Sequence, residues 1–288
     1  MPINWGAPAT YVLIAFVAAG LGWALFSTVR DERRRQARAK AYADRPRRRE
    51  AERPAIVVQR GVSAFSRIGG LPQLPASCPW PADEDGRPLA FLCQIDMAEL
   101  PGVGCDIGFP ESGALFFFYC QGQSAWGFDP KDFPKWRVIY LPEVPRAVDP
   151  RAPSAGLAVD SIYLPMPLGF STIITRSYDL DEKDDDDDFE GLRHLMGGYP
   201  DVIQNPDMEQ ECELASHGIY LGDAKAYHTP EALALLKRPN EWGLLLQLDS
   251  EEDVGMMWGD SGRLYFWIRK SDLANKDFSR VWMVLQCY

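Results

Sequence analysis

Apolar positions between residues 54 and 288 fall mostly into short runs with a period of two, the spacing of strands. IVVQ (56–59), LAFLCQID (89–96), GALFFFYCQ (113–121), KWRVIYLP (135–142) and STIITRSYDL (171–180) each predict a strand, as do WGLLLQLDS (242–250), GRLYFWI (262–268) and VWMVLQC (281–287). The aromatic run in GALFFFY predicts burial on both faces. Helical signals are few. MAEL (97–100) predicts one turn, ended by Pro101 and Gly102. HTPEALALLKRP (228–239) predicts a helix with Thr229 as N-cap, Pro230 at its first position and Lys237 and Arg238 at its C-terminal end. Segment 66–89 is rich in Gly and Pro and predicts a structured loop. The Pro-rich segment 142–167 predicts a long ordered loop with short strands. The expected class is α+β: a β-rich domain of mixed or antiparallel sheet.

Two strands end alike. FLCQID (91–96) and LLLQLD (244–249) both carry Gln-x-Asp, and each is followed by a connection and then by Gly-x-Leu-x-Phe, in GALFFFY and GRLYFWI. The matched pairs are Leu92/Leu245, Gln94/Gln247, Asp96/Asp249, Gly113/Gly262, Leu115/Leu264 and Phe117/Phe266. This predicts an internal duplication related by a pseudo-twofold, since two copies are too few for a solenoid. Strict alternation would put Leu92, Gln94 and Asp96 on one face and Phe91, Cys93 and Ile95 on the other. A Gln and an Asp on one face can staple a neighbouring loop, the Asp also capping the turn at MAEL. Alternatively, both pairs floor a binding cleft at the pseudo-twofold.

A different pattern opens the chain. Residues 11–29, YVLIAFVAAGLGWALFSTV, contain no charged side chain. Nineteen residues of helix span roughly 29 Å, close to the hydrocarbon thickness of a bilayer. Trp5 and Tyr11 lie near one end, as interfacial aromatics do. Residues 30–53 then carry 11 Lys/Arg against 5 Asp/Glu. The asymmetry predicts a single-pass helix in the cell inner membrane, with the C-terminal domain cytoplasmic. A cleaved signal peptide would carry its positive charge before a shorter apolar run. The expected organisation is an anchor (1–29), a basic juxtamembrane stalk (30–53) lying against the anionic lipid surface, and one domain (54–288).

Charge and cysteine usage narrow the function. The chain carries −11 overall, so with +6 on residues 30–53 the remainder carries −17. Such a body repels nucleic-acid phosphates, and the basic stretch lacks aromatics interleaved for base stacking. No nucleic-acid partner is expected. The six cysteines form no CxxC pair and several sit in apolar runs, which predicts buried thiols in a reducing compartment. Neither metal nor cofactor is expected: His194, His217 and His228 share no ligand spacing, and no phosphate-cradling glycine motif occurs. GDSG (259–262) matches a serine-protease nucleophile motif but lacks the accompanying His motif, so a turn between strands is predicted. The acidic run at 184–188 lacks the closing Glu of a calcium loop and predicts a solvated loop, with weak cation binding left open.

SRIGGLPQLPASCPWPADEDGRPLAFLCQIDMAELP (66–101), GALFFFY, GGYPDVIQ (197–204) and LLLQLDSEEDVGMMWGDSGRLYFWI (244–268) together resemble the YwqG-like family of bacterial domains of unknown function. The resemblance runs from about residue 55 to the C-terminus, and the N-terminal anchor departs from it. It implies an α+β fold with extensive sheet and supplies no activity. Some members lie near toxin–immunity loci, so it also implies partner binding. The expectation is a membrane-anchored, cytoplasmic module that binds a protein or peptide, in one version neutralising a toxin. The candidate binding residues are Gln94, Asp96, Gln204, Gln247, Asp249, Trp80 and Trp258. The alternative is a hydrolase using Asp96 and Asp249 in the cleft between the halves.

Overall fold

The computed structural model describes residues 52–102, 105–176 and 194–288. The chain divides into two units, Met1–Arg49 and Glu50–Tyr288, and the described residues belong to the second. The predicted span 11–29, all but the end of the basic stretch 30–53, and the acidic run 184–188 lie outside the described residues. Among the described residues no helix is long and apolar enough to cross a membrane.

Ten strands form one sheet: β1 (Arg53–Arg60), β2 (Arg67–Ile68), β3 (Ala90–Asp96), β4 (Ala114–Tyr119), β5 (Trp136–Leu141), β6 (Met166–Thr175), β7 (His194–Met196), β8 (Trp242–Asp249), β9 (Arg263–Arg269) and β10 (Trp282–Gln286). The order is β10-β9-β8-β7-β1-β6-β2-β3-β4-β5. All pairings are antiparallel, which settles the expectation of a mixed or antiparallel sheet. Among the described residues three short α-helices accompany it: α1 (Met208–Ser216), α2 (Pro230–Leu236) and α3 (Lys270–Ala274). The α2 helix begins as predicted, with the Thr229 hydroxyl accepting from the Ala232 N–H at 3.2 Å.

The strand order reads the same from both ends. Outward from β1 come β7, β8, β9 and β10, and outward from β6 come β2, β3, β4 and β5. The pseudo-twofold therefore passes between β1 and β6, which pair along eight residues from Arg53↔Thr175 to Arg60↔Leu168. Both sequence-matched hairpins keep the same register. Gln94 pairs with Phe116 and Asp96 with Ala114, while Gln247 pairs with Tyr265 and Asp249 with Arg263. Even the irregularity repeats: a bulge at Leu92 in β3 has its counterpart at Leu245 in β8.

The bulge corrects the alternation expected from the sequence. The extra residue shifts the facing of everything after it. Phe91, Gln94 and Asp96 lie opposite Phe118, Phe116 and Ala114 and share one face, while Cys93 and Ile95 share the other with Phe117 and Leu115. Leu92 belongs to neither row. On the face opposite Gln94 and Gln247, Phe117 meets its sequence match Phe266 edge-on, with centroids 5.2 Å apart. Both are fully buried, so the pseudo-twofold is marked by an apolar contact.

The sheet curls into a nearly closed barrel. Its edge strands meet through side chains: Trp136 of β5 donates from Nε1 to the Val281 carbonyl at 2.8 Å, and its ring packs edge-on against Trp282 of β10 at 5.2 Å. Phe133 stacks on Trp282 at 5.5 Å. The six cysteines are free, with Cys93, Cys120, Cys212 and Cys287 buried. The short GDSG segment is a turn, but the two glycines act differently. Gly259 has φ +55°, whereas a Cβ on Gly262 would come within 2.3 Å of the Gln286 carbonyl oxygen. Its match Gly113 has a similar close approach, to the Leu141 carbonyl at 2.5 Å, and also φ +97°.

Candidate functional site: loop anchors on two matched halves

Each Gln-x-Asp end lies beneath a Gly-Gly-x-Pro loop. In the first half, Gly69 and Gly70 turn the chain with φ of +66° and +71°. In the second, Gly197 and Gly198 do so with +68° and +69°. The side-chain oxygen of Gln94 accepts from the Gln73 N–H at 2.9 Å, and that of Gln247 accepts from the Asp201 N–H at 2.8 Å. Gln73 and Asp201 hold the same place after their Gly-Gly pairs. Gln94 also donates to the Phe65 carbonyl at 2.9 Å. These amides satisfy loop backbone that no ladder reaches.

The aspartates start from the same geometry and then diverge. The Asp96 N–H donates to Ser66 Oγ at 2.9 Å, and the Asp249 N–H donates to His194 Nδ1 at 3.1 Å. Ser66 and His194 hold matched places before the glycine pairs. Asp96 Oδ1 caps the 3-10 turn Met97–Glu99 by accepting from the Ala98 N–H at 2.9 Å. Its Oδ2 pairs with Arg146, a half-exposed side chain from the loop after β5. Asp249 Oδ1 accepts from the Ser250 N–H at 2.8 Å, and Oδ2 lies 3.0 Å from Arg263 Nε on the neighbouring strand. Arg263 reaches Asp201 as well, at 2.6 Å. Burial opposes the charge on Arg263, but Asp201 and Asp249 outweigh it and push its pKa up. For Asp249 burial outweighs the opposing pull of Arg263, and its carboxyl is raised above its ordinary value.

Because His194 Nδ1 accepts the Asp249 N–H, its hydrogen sits on Nε2 when the ring is neutral. That buried nitrogen makes no hydrogen bond among the described residues and lies 3.6 Å from Glu251 Oε2. The second half thus concentrates His194, Asp201, Asp249, Glu251 and Arg263 at the ends of β7, β8 and β9. Among the described residues no group of His, Cys, Asp and Glu has the geometry to hold a metal ion.

The seven candidate residues are not gathered in one opening. Gln94, Asp96 and Gln247 are fully buried and Asp249 is 8% exposed, too enclosed to floor an open cleft. Trp258 is buried beside Asp249: its Nε1 donates to the Asp249 carbonyl at 3.2 Å, and its ring packs edge-on against Tyr119 and Tyr163. Gln204 sits near the C-terminus, with its N–H on Gln286 Oε1 at 2.9 Å and its amide donating to the Cys287 carbonyl. Trp80 is half-buried in the first half, donating to the Leu89 carbonyl at 2.9 Å and packing on Phe118.

Two cavities lie elsewhere. One, of about 520 Å³, is mainly apolar and includes Ile56, Met97 and Phe109. The other, of about 560 Å³, is polar and is walled by residues of α1, of the segment after α2, and of the end of β9. Sequence reading passed over the second because α1 itself was not predicted. Its buried Met208, Glu211, Cys212 and Ala215 do follow a helical spacing, but a carboxylate on the buried side hides the apolar stripe.

A nearly closed antiparallel barrel of two matched halves, whose strand ends anchor Gly-Gly-x-Pro loops, is the class these observations define. Residues 66–287 match the family model described as a domain of unknown function (DUF1963), and the chain belongs to that family, consistent with a YwqG-like domain. No curated protein matches the chain. The matched range starts after β1, yet β1 lies in the middle of the sheet, so the folded body begins at residue 53 or earlier.

Proposed function

We propose that the chain is a membrane-tethered binding module whose body faces the cytoplasm and holds a protein or peptide partner, immunity-like neutralisation being one version. The observation that carries this reading is the use of polar groups at the matched strand ends. Both Gln side chains and Asp96 are spent on the backbone or on neighbouring side chains of their own half. They build a rigid scaffold for loops, and loops on rigid scaffolds are where recognition concentrates. The uncharged run 11–29 and the basic stretch after it support the tether. The test is affinity capture of the full chain from native membranes after crosslinking, beside a variant lacking residues 1–29. A specific protein recovered with the full chain supports the module. Repeated recovery of none, or recovery of the variant in the membrane fraction, counts against binding or tether respectively.

A hydrolase is the second reading, favoured by one observation: the buried His194 ring in the second half, with Nδ1 on the Asp249 N–H at 3.1 Å and Nε2 3.6 Å from Glu251 Oε2. Under this reading Asp249→Asn abolishes turnover of ester or phosphoester model substrates while the protein stays folded. Absence of turnover in the wild-type chain removes it.

A further inference from the structure

The polar cavity is walled by three arginines: Arg238 after α2, Arg269 at the end of β9, and Arg280 before β10. Carboxylates on its wall or behind it hold each one in place. Glu213 of α1 accepts from Trp242 Nε1 at 3.1 Å and from Arg269 Nη2 at 3.3 Å, and lies 3.8 Å from Arg238 Nη1. Arg269 is further fixed by Ser216 Oγ at 2.8 Å and by stacking over the Trp242 ring, with its guanidinium carbon 4.2 Å from the centroid. Arg280 pairs with Asp272, which is 1% exposed. Arg238 Nη1 faces His217 Nε2 at 3.3 Å. An arginine only donates, so that nitrogen accepts, and His217 Nδ1 carries the hydrogen and donates to the Glu213 carbonyl at 2.7 Å.

Each guanidinium has five N–H donors, and the fixing contacts leave several of them over. On Arg238 the contacts with His217 and Glu213 both use Nη1, which leaves the Nε/Nη2 edge, the geometry that grips a carboxylate with two parallel bonds. On Arg269 both hydrogen bonds use Nη2. The acceptors are fewer. Glu213 is engaged, and Glu241 is the remaining carboxylate on the wall. The cavity is rich in donors, poor in acceptors, and within the roughly 300–1,000 Å³ range of small-ligand sites. It sits on a body whose overall charge would not by itself gather anions.

We propose that this cavity binds a carboxylate group, gripped by the free edge of Arg238 with Arg269 and Arg280 behind it. A carboxylate group, with one charge on two coplanar oxygens, suits the wall better than a phosphate group carrying up to two, because Glu241 and the arginines' own acid partners already balance much of the positive charge. The carboxylate could belong to a free small acid or to an acidic peptide, and the experiment separates the two. The full chain is titrated calorimetrically with succinate, with tetra-aspartate and with inorganic phosphate. Binding of succinate or of tetra-aspartate, stronger than phosphate, is the expected result, and whichever binds identifies the source. Arg238→Gln, an exposed position that leaves Arg269 and Arg280 held by their other partners, should weaken that binding at least tenfold, and Glu241→Gln should strengthen it. Unchanged melting temperatures for the unliganded variants would confirm intact folds. Equal binding by wild type and Arg238→Gln, preference for phosphate, or no binding of either carboxylate at about 10 mM, where a Kd of about 1 mM would nearly saturate the site, would overturn the proposal. The site stands independently of the module reading: succinate binding without a captured protein would retain the one and remove the other.

Discussion

The two halves share strand order, register, bulge position and the amide that anchors the Gly-Gly loop, yet they treat their matched aspartates differently. Asp96 caps a 3-10 turn and meets Arg146, which is 55% exposed. Asp249 has no such turn to cap and meets Arg263, which is 9% exposed. The reason lies one position into the following strand. Ala114 stands opposite Asp96, and Arg263 stands opposite Asp249. The first half therefore draws its cation from a loop, while the second supplies it from the sheet and adds His194 where the first has Ser66. The shared features are those the backbone needs; the divergent ones concentrate charge in one half.

The largest expected effect tests the twofold itself. Phe117→Ala and Phe266→Ala each remove one ring of the contact between halves, which should cost about 3–5 kcal/mol apiece by chemical denaturation. Their double variant should cost less than the sum, because the two rings share one contact. Full additivity would mean that the pair does not couple the halves. The next effect belongs to the second half alone. Burial pushes the Glu211 carboxyl up from 4.5 to about 7, with the Asn205 hydrogen bond opposing it and Asp207 adding to it. A folded-state value raised above the unfolded one means that the folded chain holds the proton more tightly. This stabilisation is complete below pH 4.5 and is lost as pH rises through about 7, a change of about 3 kcal/mol. Glu211→Gln should remove that slope and leave the protein more stable at pH 8. An unchanged slope in denaturation measured from pH 5 to pH 8 would refute the assignment.

How much of this was legible depended on whether the signal was local. The repeat was readable because Gln94/Gln247 and Gly113/Gly262 serve backbone geometry that both halves must satisfy. The α2 helix was readable because Thr229 and Pro230 are local punctuation. The bulges at Leu92 and Leu245 were not, since an extra leucine in an apolar strand looks like any other core residue. β2 and β7 were missed because two or three residues carry no period. β6 was misplaced because Pro165 and Pro167 read as loop, although the strand runs from Met166 to Thr175. The candidate site was legible in its residues but not in their use. Nothing in Gln-x-Asp announces that its atoms are consumed by a loop more than twenty residues upstream, and the arginine cavity joins α1, α2 and β9 only through tertiary packing.

Charge substitution sharpens the contrast between the aspartates. Asp249→Asn removes one of the two acids that Arg263 meets in an enclosed place, leaving Asp201, and should cost about 2 kcal/mol. Asp96→Asn keeps an acceptor for the Ala98 N–H and loses an ion pair with a half-exposed arginine, so it should cost less than about 1 kcal/mol. Equal costs would mean that the sheet-borne arginine is no better enclosed than the loop-borne one.

The smallest expected effect is the difference between two matched variants, and equality is what it tests. Gln94→Met and Gln247→Met preserve volume but remove the acceptor for the Gln73 and Asp201 N–H groups. A buried donor left without a partner costs about 1–3 kcal/mol. Both amides occupy fully buried positions at the same register point, so the two costs should agree within about 0.5 kcal/mol, the spread expected for independent sites. Hydrogen exchange gives the local readout: the Gln73 amide should lose protection in the first variant only, and the Asp201 amide in the second only. Loss of protection at both loops in either variant would mean that the anchors are coupled across the barrel, and that the loops open as one unit instead of two.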